Sequence, residues 1–300
     1  MTLDQVAKIW IGVLAGNYVA DSTKLKYSHI TRLLSDHFGG KPLEKITTAD
    51  LQGFRATRKI KASTAHGEIQ ILKTFFGFCE DQGLITANPA RKLKMPRLRQ
   101  VEKTPYTQEE IICILAASDR VSDSTYARLR SKAALLLMRH HGLRISDTIG
   151  LRRDAISQVG GQWRLRLRTK KTGAAIDHLV PDVVLEALGL LPPPYGTGTY
   201  EYYFCNGAGS PGSTLTNMQS ILRKVYRLSG VKGAYSHRFR CTRASEILLA
   251  GGSLHDCALA LGISDRVVER HYSRFMPEQR DRLDRLMEKA TNREYQEATI

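Results

Sequence analysis

The 300-residue sequence predicts a mainly α-helical chain of two domains, the second carrying a small antiparallel β-sheet. Three observations predict it. Apolar residues recur at three- and four-residue spacing over most of the length, the period of a helix with one buried face. One stretch, Gln162–Arg168, alternates strictly instead, which is the period of a strand. Between residues 88 and 99 the helical patterning breaks at a run with two prolines, five cations and no acid. The 42% hydrophobic content is enough to fill two cores.

The first helix is read from Leu3, Val6, Ile9, Trp10 and Val13, and a second, from Thr23 onward, from Tyr27, Ile30, Leu33 and Leu34. A third starts at Thr48, Ala49, Asp50 and Leu51. The fourth begins near Ser63, runs through Ile69, Leu72, Phe75 and Phe76, and ends around Gly83. Four helices with short polar breaks make a compact bundle. The expected division is a helical domain over residues 1–95, a basic linker over 96–105, and a second domain over 106–300 that ends in a helical tail from about 276.

In the second domain, Thr107 followed by Glu109 and Glu110 reads as a helix start with acids in its first turn. An apolar helix follows over residues 124–141. The alternating stretch then turns at Gly173 and returns over 176–180 as a hairpin. Helical patterning resumes over 181–191, 215–228 and most of 236–290, separated by loops rich in Pro and Gly. The loop from Asn206 to Gly212 lacks the Gly-Lys-Ser/Thr ending of a nucleotide cradle, so no ATP site is expected.

The formal charge is +16 and the pI near 9.8, which points to a polyanionic partner because each cation placed on a phosphate releases counterions. Residues 1–98 hold 15 Lys and Arg against 8 Asp and Glu, whereas residues 273–300 hold 6 of each. The excess is thus spread over both domains, as for two domains on one DNA duplex. Candidate phosphate contacts are Arg55, Arg58, Lys59, Lys61, Arg91, Lys92 and Lys94 in the first domain, and Arg164, Arg166 and Arg168 on one face of the hairpin. An ordinary solvated basic surface is the plainer alternative. Five widely spaced cysteines, Cys79, Cys113, Cys205, Cys241 and Cys257, show no metal-ligand spacing and read as reduced thiols. No leader and no membrane-spanning run is apparent, so a soluble cytoplasmic protein is expected.

Breaking a phosphodiester without a metal requires a nucleophile, neutralisation of the nonbridging oxygens and a proton for the leaving oxygen. Tyr272 offers a phenol, although it is one of 12 tyrosines. His237 and Arg240 stand three apart and share a helix face, where a guanidinium fork can hold phosphate and an imidazole can exchange a proton near neutrality. A solvated basic helix through Arg238, Arg240 and Arg243 is the alternative. Arg144, set between Leu143 and Ile145 behind Gly142, points into a partly enclosed site with Asp147 to orient it, or forms a structural ion pair with Asp147. Lys170 and Lys171 occupy the hairpin turn, able to protonate a leaving oxygen or simply to keep the turn soluble.

In this order the segments resemble the tyrosine recombinase (phage integrase) family over nearly the whole chain. The likeness is carried by Ser22 and Thr23, the run from Ile46 to Asp50, Phe75 and Phe76, and Asn88, Pro89 and Ala90. It continues through the run from Gly142 to Asp147, then Lys171, Thr172 and Gly173, then His237 and Arg240, then Leu261, Gly262 and Tyr272. The resemblance implies a core-binding (SAM-like) bundle followed by an α+β catalytic domain. It implies Arg144 and Arg240 as a phosphate clamp, Lys171 as general acid with Lys170 as fallback, His237 assisting proton transfer, and Tyr272 forming a 3′-phosphotyrosine. Asp147 matches a supporting acid. One position departs: Ile263 stands where the family commonly has His or Trp, nine residues before the tyrosine. An isoleucine cannot hydrogen-bond phosphate, and losing one such donor costs on the order of 10²-fold in rate.

The expected activity is site-specific cleavage and rejoining of double-stranded DNA without a cofactor. The expected assembly is a homo-tetramer joined through the C-terminal helix, with Leu283, Leu286, Met287 and Ala290 on its apolar face. Packing of that helix on its own domain is the alternative. By the same resemblance no arm-binding segment is expected before residue 1, as in two-domain members. A type IB topoisomerase-like nicking-closing enzyme and a catalytically impaired DNA-binding protein are the competing readings.

Overall fold

The computed structural model describes residues 1–17, 19–98, 104–191, 201–205, 211–276, 281 and 284–288. The chain forms two compact units, Met1–Val101 and Glu102–Ile300.

The first unit is built on four helices, α1 (Leu3–Gly16), α2 (Asp21–Phe38), α3 (Thr48–Ala56) and α4 (Ala62–Asp81). Thr2 with Gln5, and Thr47 with Asp50, form reciprocal capping boxes that satisfy the first amides of α1 and α3. Trp10 stacks on Tyr27 at 4.8 Å, and Leu34, Leu51, Ile69, Leu72, Phe75 and Phe76 are fully buried among the helices. The second helix opens at Asp21, so Ser22 and Thr23 lie inside its first turn instead of preceding it. The proline-containing segment after α4 is not a free linker over its whole length. Ala90 and Leu93 are buried in this core, Asn88 donates to the Lys73 carbonyl, and Thr48 donates to that of Pro89. Residues 99–103 of the expected linker lie outside the described residues.

The second unit contains α5 (Gln108–Ser118), α6 (Thr125–His141), α7 (Ile145–Ile149), β1 (Ile156–Val159), β2 (Gln162–Arg168), β3 (Ala175–Leu179), α8 (Asp182–Gly189), α9 (Pro211–Leu228), α10 (Ser236–Leu249), α11 (Leu254–Leu261) and α12 (Asp265–Tyr272). The strands form an antiparallel sheet in the order β1-β2-β3, with Leu165 opposite Ile156 on one side and His178 on the other. β1 and α7 were not expected from the sequence, because four and five residues are too short to show a period. Apolar α6 runs through the main core with Ala133, Leu135, Leu137 and Met138 buried. A separate cluster of Cys241, Ala244, Leu248, Cys257, Leu261, Val268 and Tyr272 joins α10, α11 and α12.

The hairpin corrects one electrostatic expectation. Arg164, Arg166 and Arg168 do share a face, but Asp177 on β3 lies opposite Arg166 and pairs with Arg164 at 2.5 Å and Arg166 at 3.1 Å. Arg168 donates to the Gly173 carbonyl. Most of the expected tail, including Leu283 and Ala290, lies outside the described residues, while Leu286 and Met287 are exposed.

Candidate active site

Four segments meet around Arg240. α6 ends at Gly142 in the left-handed conformation, φ +61°, and a Cβ there would lie 2.6 Å from Leu261 Cδ2 and 3.3 Å from Arg243. Glycine therefore lets the end of α6 press against both α10 and α11. Its carbonyl accepts from Arg240 Nη1 at 2.8 Å, and Arg240 Nη2 donates to the Leu261 carbonyl. Arg240 is 2% exposed. Burial, then the like charge of Arg144, pull its pKa down to about 10, while Tyr272 and Asp147 act in the opposite direction. The guanidinium thus stays charged at neutral pH and lies within electrostatic reach of Arg144, Asp147 and Tyr272 together.

Arg144 occupies the N-cap position of α7 in extended conformation. Its Nη1 lies 3.7 Å from Asp147 Oδ2, an ionic contact too long for a hydrogen bond, and both atoms are buried without a hydrogen-bond partner among the described residues. Asp147 Oδ1 instead accepts the Lys170 amide at 3.0 Å, fixing the hairpin turn to α7. The turn is held on its other side by Thr172 Oγ1, which donates to the Gly262 carbonyl at 2.9 Å. Gly262 has φ +58°, and a Cβ there would stand 3.0 Å from Thr169 Cγ2.

The two turn lysines differ. Lys170 folds its amine into the notch that Gly150 leaves, where a Cβ would lie 2.3 Å from Nζ. Lys171 is the next residue of the same exposed turn and has no such seat. Tyr272 closes α12 and is 3% exposed, packed in the apolar cluster with Ile263 at its edge. Burial pushes its phenol up to about 12, with the Arg240 charge pulling the other way. His237 sits in the first turn of α10 with its side chain exposed.

The alternative of a solvated basic helix is not what forms. Arg238 is 9% exposed, stacks on Tyr106 at 4.2 Å, and bonds to the carbonyls of Thr104 and Pro105 and to Glu110 at 2.7 Å. Tyr106 in turn exchanges two hydrogen bonds with Tyr235, just before α10. The segment entering the second unit is thereby anchored at the turn that presents His237 and Arg240.

Among the cations expected to face a duplex, Arg58 is bound to the buried Glu68 at 2.5 Å and Arg91 to Glu80 at 2.7 Å. Lys59, Lys61, Lys92 and Lys94 are exposed and Arg55 is half-buried, none with an ion pair among the described residues. One pair escaped the sequence reading. His141 and His178 meet in the interior with Nδ1 atoms 3.3 Å apart and rings stacked. Adjacent His140 and His141 at the end of an apolar helix were a signal, but the partner is 37 residues away on β3.

Residues 106–278 match the Phage integrase family, and residues 2–57 match the Phage integrase, N-terminal SAM-like domain family. The chain is 26% identical over 262 residues to Tyrosine recombinase XerC of Brucella melitensis, covering 81% of each protein. In fold it is similar to a lambda integrase dimer bound to a COC′ core site, with TM-score 0.68, 20% identity and coverage of 88% of this chain and 96% of that one. It is likewise similar to a lambda integrase tetramer bound to a Holliday junction, with TM-score 0.67, 19% identity and coverage of 88% and 78%.

Proposed function

The chain belongs to the phage integrase family and is a site-specific DNA recombinase; on that premise we propose that it exchanges strands through a covalent link on Tyr272. The observation that carries the assignment of residues is Arg240, a buried guanidinium within electrostatic reach of Arg144, Asp147 and Tyr272 at once. Two arginines neutralise the nonbridging oxygens, and the unsatisfied Nη1 of Arg144 fits an acceptor such as a phosphate oxygen. The Tyr272 oxygen attacks phosphorus as its phenol proton passes to His237, the P–O5′ bond breaks, and the 5′ oxygen takes a proton from Lys171. The product is a 3′-phosphotyrosine and a free 5′ hydroxyl. Attack by another 5′ hydroxyl reverses the step, so the bond energy is kept and no ATP is consumed.

Lys171 is preferred over Lys170 because the Lys170 amine is seated against Gly150. The Ile263 side chain packs on the apolar cluster that holds Tyr272 and offers no hydrogen-bond donor, which lowers the rate on the order of 10²-fold relative to a site with a donor there. Neither a topoisomerase nor a silent DNA-binding protein is favoured by the family match and the recombinase relatives.

We assign the duplex contacts of the first unit to Arg55, Lys59, Lys61, Lys92 and Lys94, with Arg58 and Arg91 shared with internal carboxylates. The domain division at 95 and 106, a tetramer on two duplexes joined through the C-terminal tail, and a cytoplasmic place of action belong to the same reading. Support for the tetramer is the likeness to lambda integrase on a Holliday junction. No helix among the described residues is long and apolar enough to cross a membrane.

The test uses a duplex selected by the protein from a random pool and nicked so that the released 5′ end diffuses away. Incubation yields a covalent protein–DNA adduct with the native chain and none with Tyr272→Phe. A native chain that binds the duplex but forms no adduct overturns the enzymatic reading.

A further inference from the structure

The last turns of α6 and the second half of α10 are joined by a fork. Arg139 Nη1 and Nη2 each reach a separate oxygen of Glu246 at 2.7 Å, a two-pronged geometry that fixes direction as well as distance. Arg243, one turn earlier on α10, lies 3.6 Å from the same carboxylate. Arg243 also packs where α6 ends, its Cβ and Cγ 3.3 Å from the position that a Gly142 Cβ would take. Arg139 stands five residues before Arg144, and Glu246 six residues after Arg240. The two helices thus meet at two polar points. One is the bond from Arg240 to the Gly142 carbonyl at 2.8 Å, and the other is the Arg139 fork, about one turn back along α6. The first point alone would leave a pivot.

We propose that Glu246 is a positioning residue for strand cleavage: by gripping Arg139 it sets the spacing of Arg144 and Arg240 around the scissile phosphate. The inference rests on the reading of those two arginines as the phosphate clamp and adds a residue outside the reacting groups. Glu246 is the sole acid of α10, a helix with three arginines. Arg238 is taken up by Glu110 and Arg240 by backbone carbonyls, which leaves Glu246 to Arg243 and Arg139. Without it, Arg139 and Arg243 face each other across the interface as unpaired like charges, which pushes the end of α6 away from α10. Stability is not what the pair mainly supplies. The Glu246 side chain is 34% exposed, and an ion pair so placed adds little to folding because water screens it. Geometry is more sensitive, since displacement of a reacting constellation by about 1 Å costs on the order of 10²-fold in rate.

The test follows adduct formation on the nicked duplex, at saturating DNA, by Glu246→Gln, by Arg139→Met and by the double variant. Each single variant should be slower than the native chain by about 10- to 100-fold. The double variant should be no slower than either, because both substitutions remove one interaction. Affinity for the duplex should not weaken in Glu246→Gln, which loses a negative charge, and its thermal midpoint should move by less than about 4 °C. Positioning of the clamp is separated from general packing by a duplex with a methylphosphonate at the cleavage point. That linkage has no charge for the arginines to neutralise, so on it the native chain and Glu246→Gln should differ by less than about twofold. An unchanged rate for Glu246→Gln on the ordinary duplex overturns the proposal. A deficit of equal size on both duplexes also overturns it and makes the pair a brace of the fold. The native chain's adduct in the same assay reports on the Tyr272 reading independently.

Discussion

Arg240 and Tyr272 show how one burial decision serves two opposed needs. A buried guanidinium is tolerated because two backbone carbonyls accept from it, and it remains charged because its pKa falls only to about 10. The neighbouring phenol is pushed up to about 12 by the same apolar surroundings, so at neutral pH it is protonated in this arrangement. His141 presents the reverse problem. Burial, then the fields of His178, His140 and Arg243, lower its pKa to about 3, below the ordinary 6.5. Burial, then Arg243, also depress His178, while a backbone hydrogen bond to Ala260 and the charge of Asp177 oppose them. A depressed folded-state pKa contributes stability that is complete above 6.5 and is lost as pH falls toward 3. Between pH 7 and pH 5 the loss from His141 is about 2 kcal/mol. His141→Phe should therefore show a thermal midpoint that drops about 4–8 °C less than that of the native chain over this interval, measured by circular dichroism. Equal drops in the two proteins would remove His141 as the source.

At the scale of elements, the hairpin is the part whose placement matters most for chemistry. Its sequence announces a turn through Lys171, Thr172 and Gly173, and alternation predicts the strands, so its existence was legible. Its attachment was not: Thr172 reaches 90 residues along the chain to Gly262, and the Lys170 amide reaches back to Asp147. Cutting one tether tests its worth. Thr172→Val keeps the shape and removes the donor, so the tip that carries Lys171 is less often in place when the 5′ oxygen leaves. Adduct formation should slow about tenfold, a part of the 10²–10⁴ that a general acid supplies. A substrate with sulfur in place of the bridging 5′ oxygen, a leaving group that needs no proton, should restore the native rate. A defect that persists with that substrate assigns Thr172 a merely structural part. The helix starts were legible for a local reason, since a capping box is written within four residues, as at Thr47, Thr107 and Ser253. The start of α2 was misplaced by two residues because Ala20 supplies no side-chain cap.

For the whole molecule, each unit has its own apolar core, the first around Trp10, Phe75 and Phe76 and the second around α6. A fragment of residues 1–98 should therefore melt cooperatively by itself, because Ala90 and Leu93 complete its core. Its affinity for the selected duplex should fall at least about 100-fold below that of the full chain, the expected gain from tethering two modules that engage one ligand. Calorimetry and titration check both parts; a fragment without a cooperative transition would show that the core depends on the second unit. The sequence by itself determined the helical class, the basic charge and the hairpin, and it singled out the residues proposed to react, because periodicity, composition and short motifs are local. Tertiary structure alone decided which cations are free. Asp177 pairs with two of the three hairpin arginines that looked available, Glu68 takes up Arg58, and Arg223, Lys224 and Arg227 on α9 have no ion pair among the described residues. It also turned Arg238 from one charge in a basic run into an anchor for the chain entering the second unit. The physical reason is that charge pairing acts through space over a few ångströms, between residues whose separation along the chain ranges from 10 to 128.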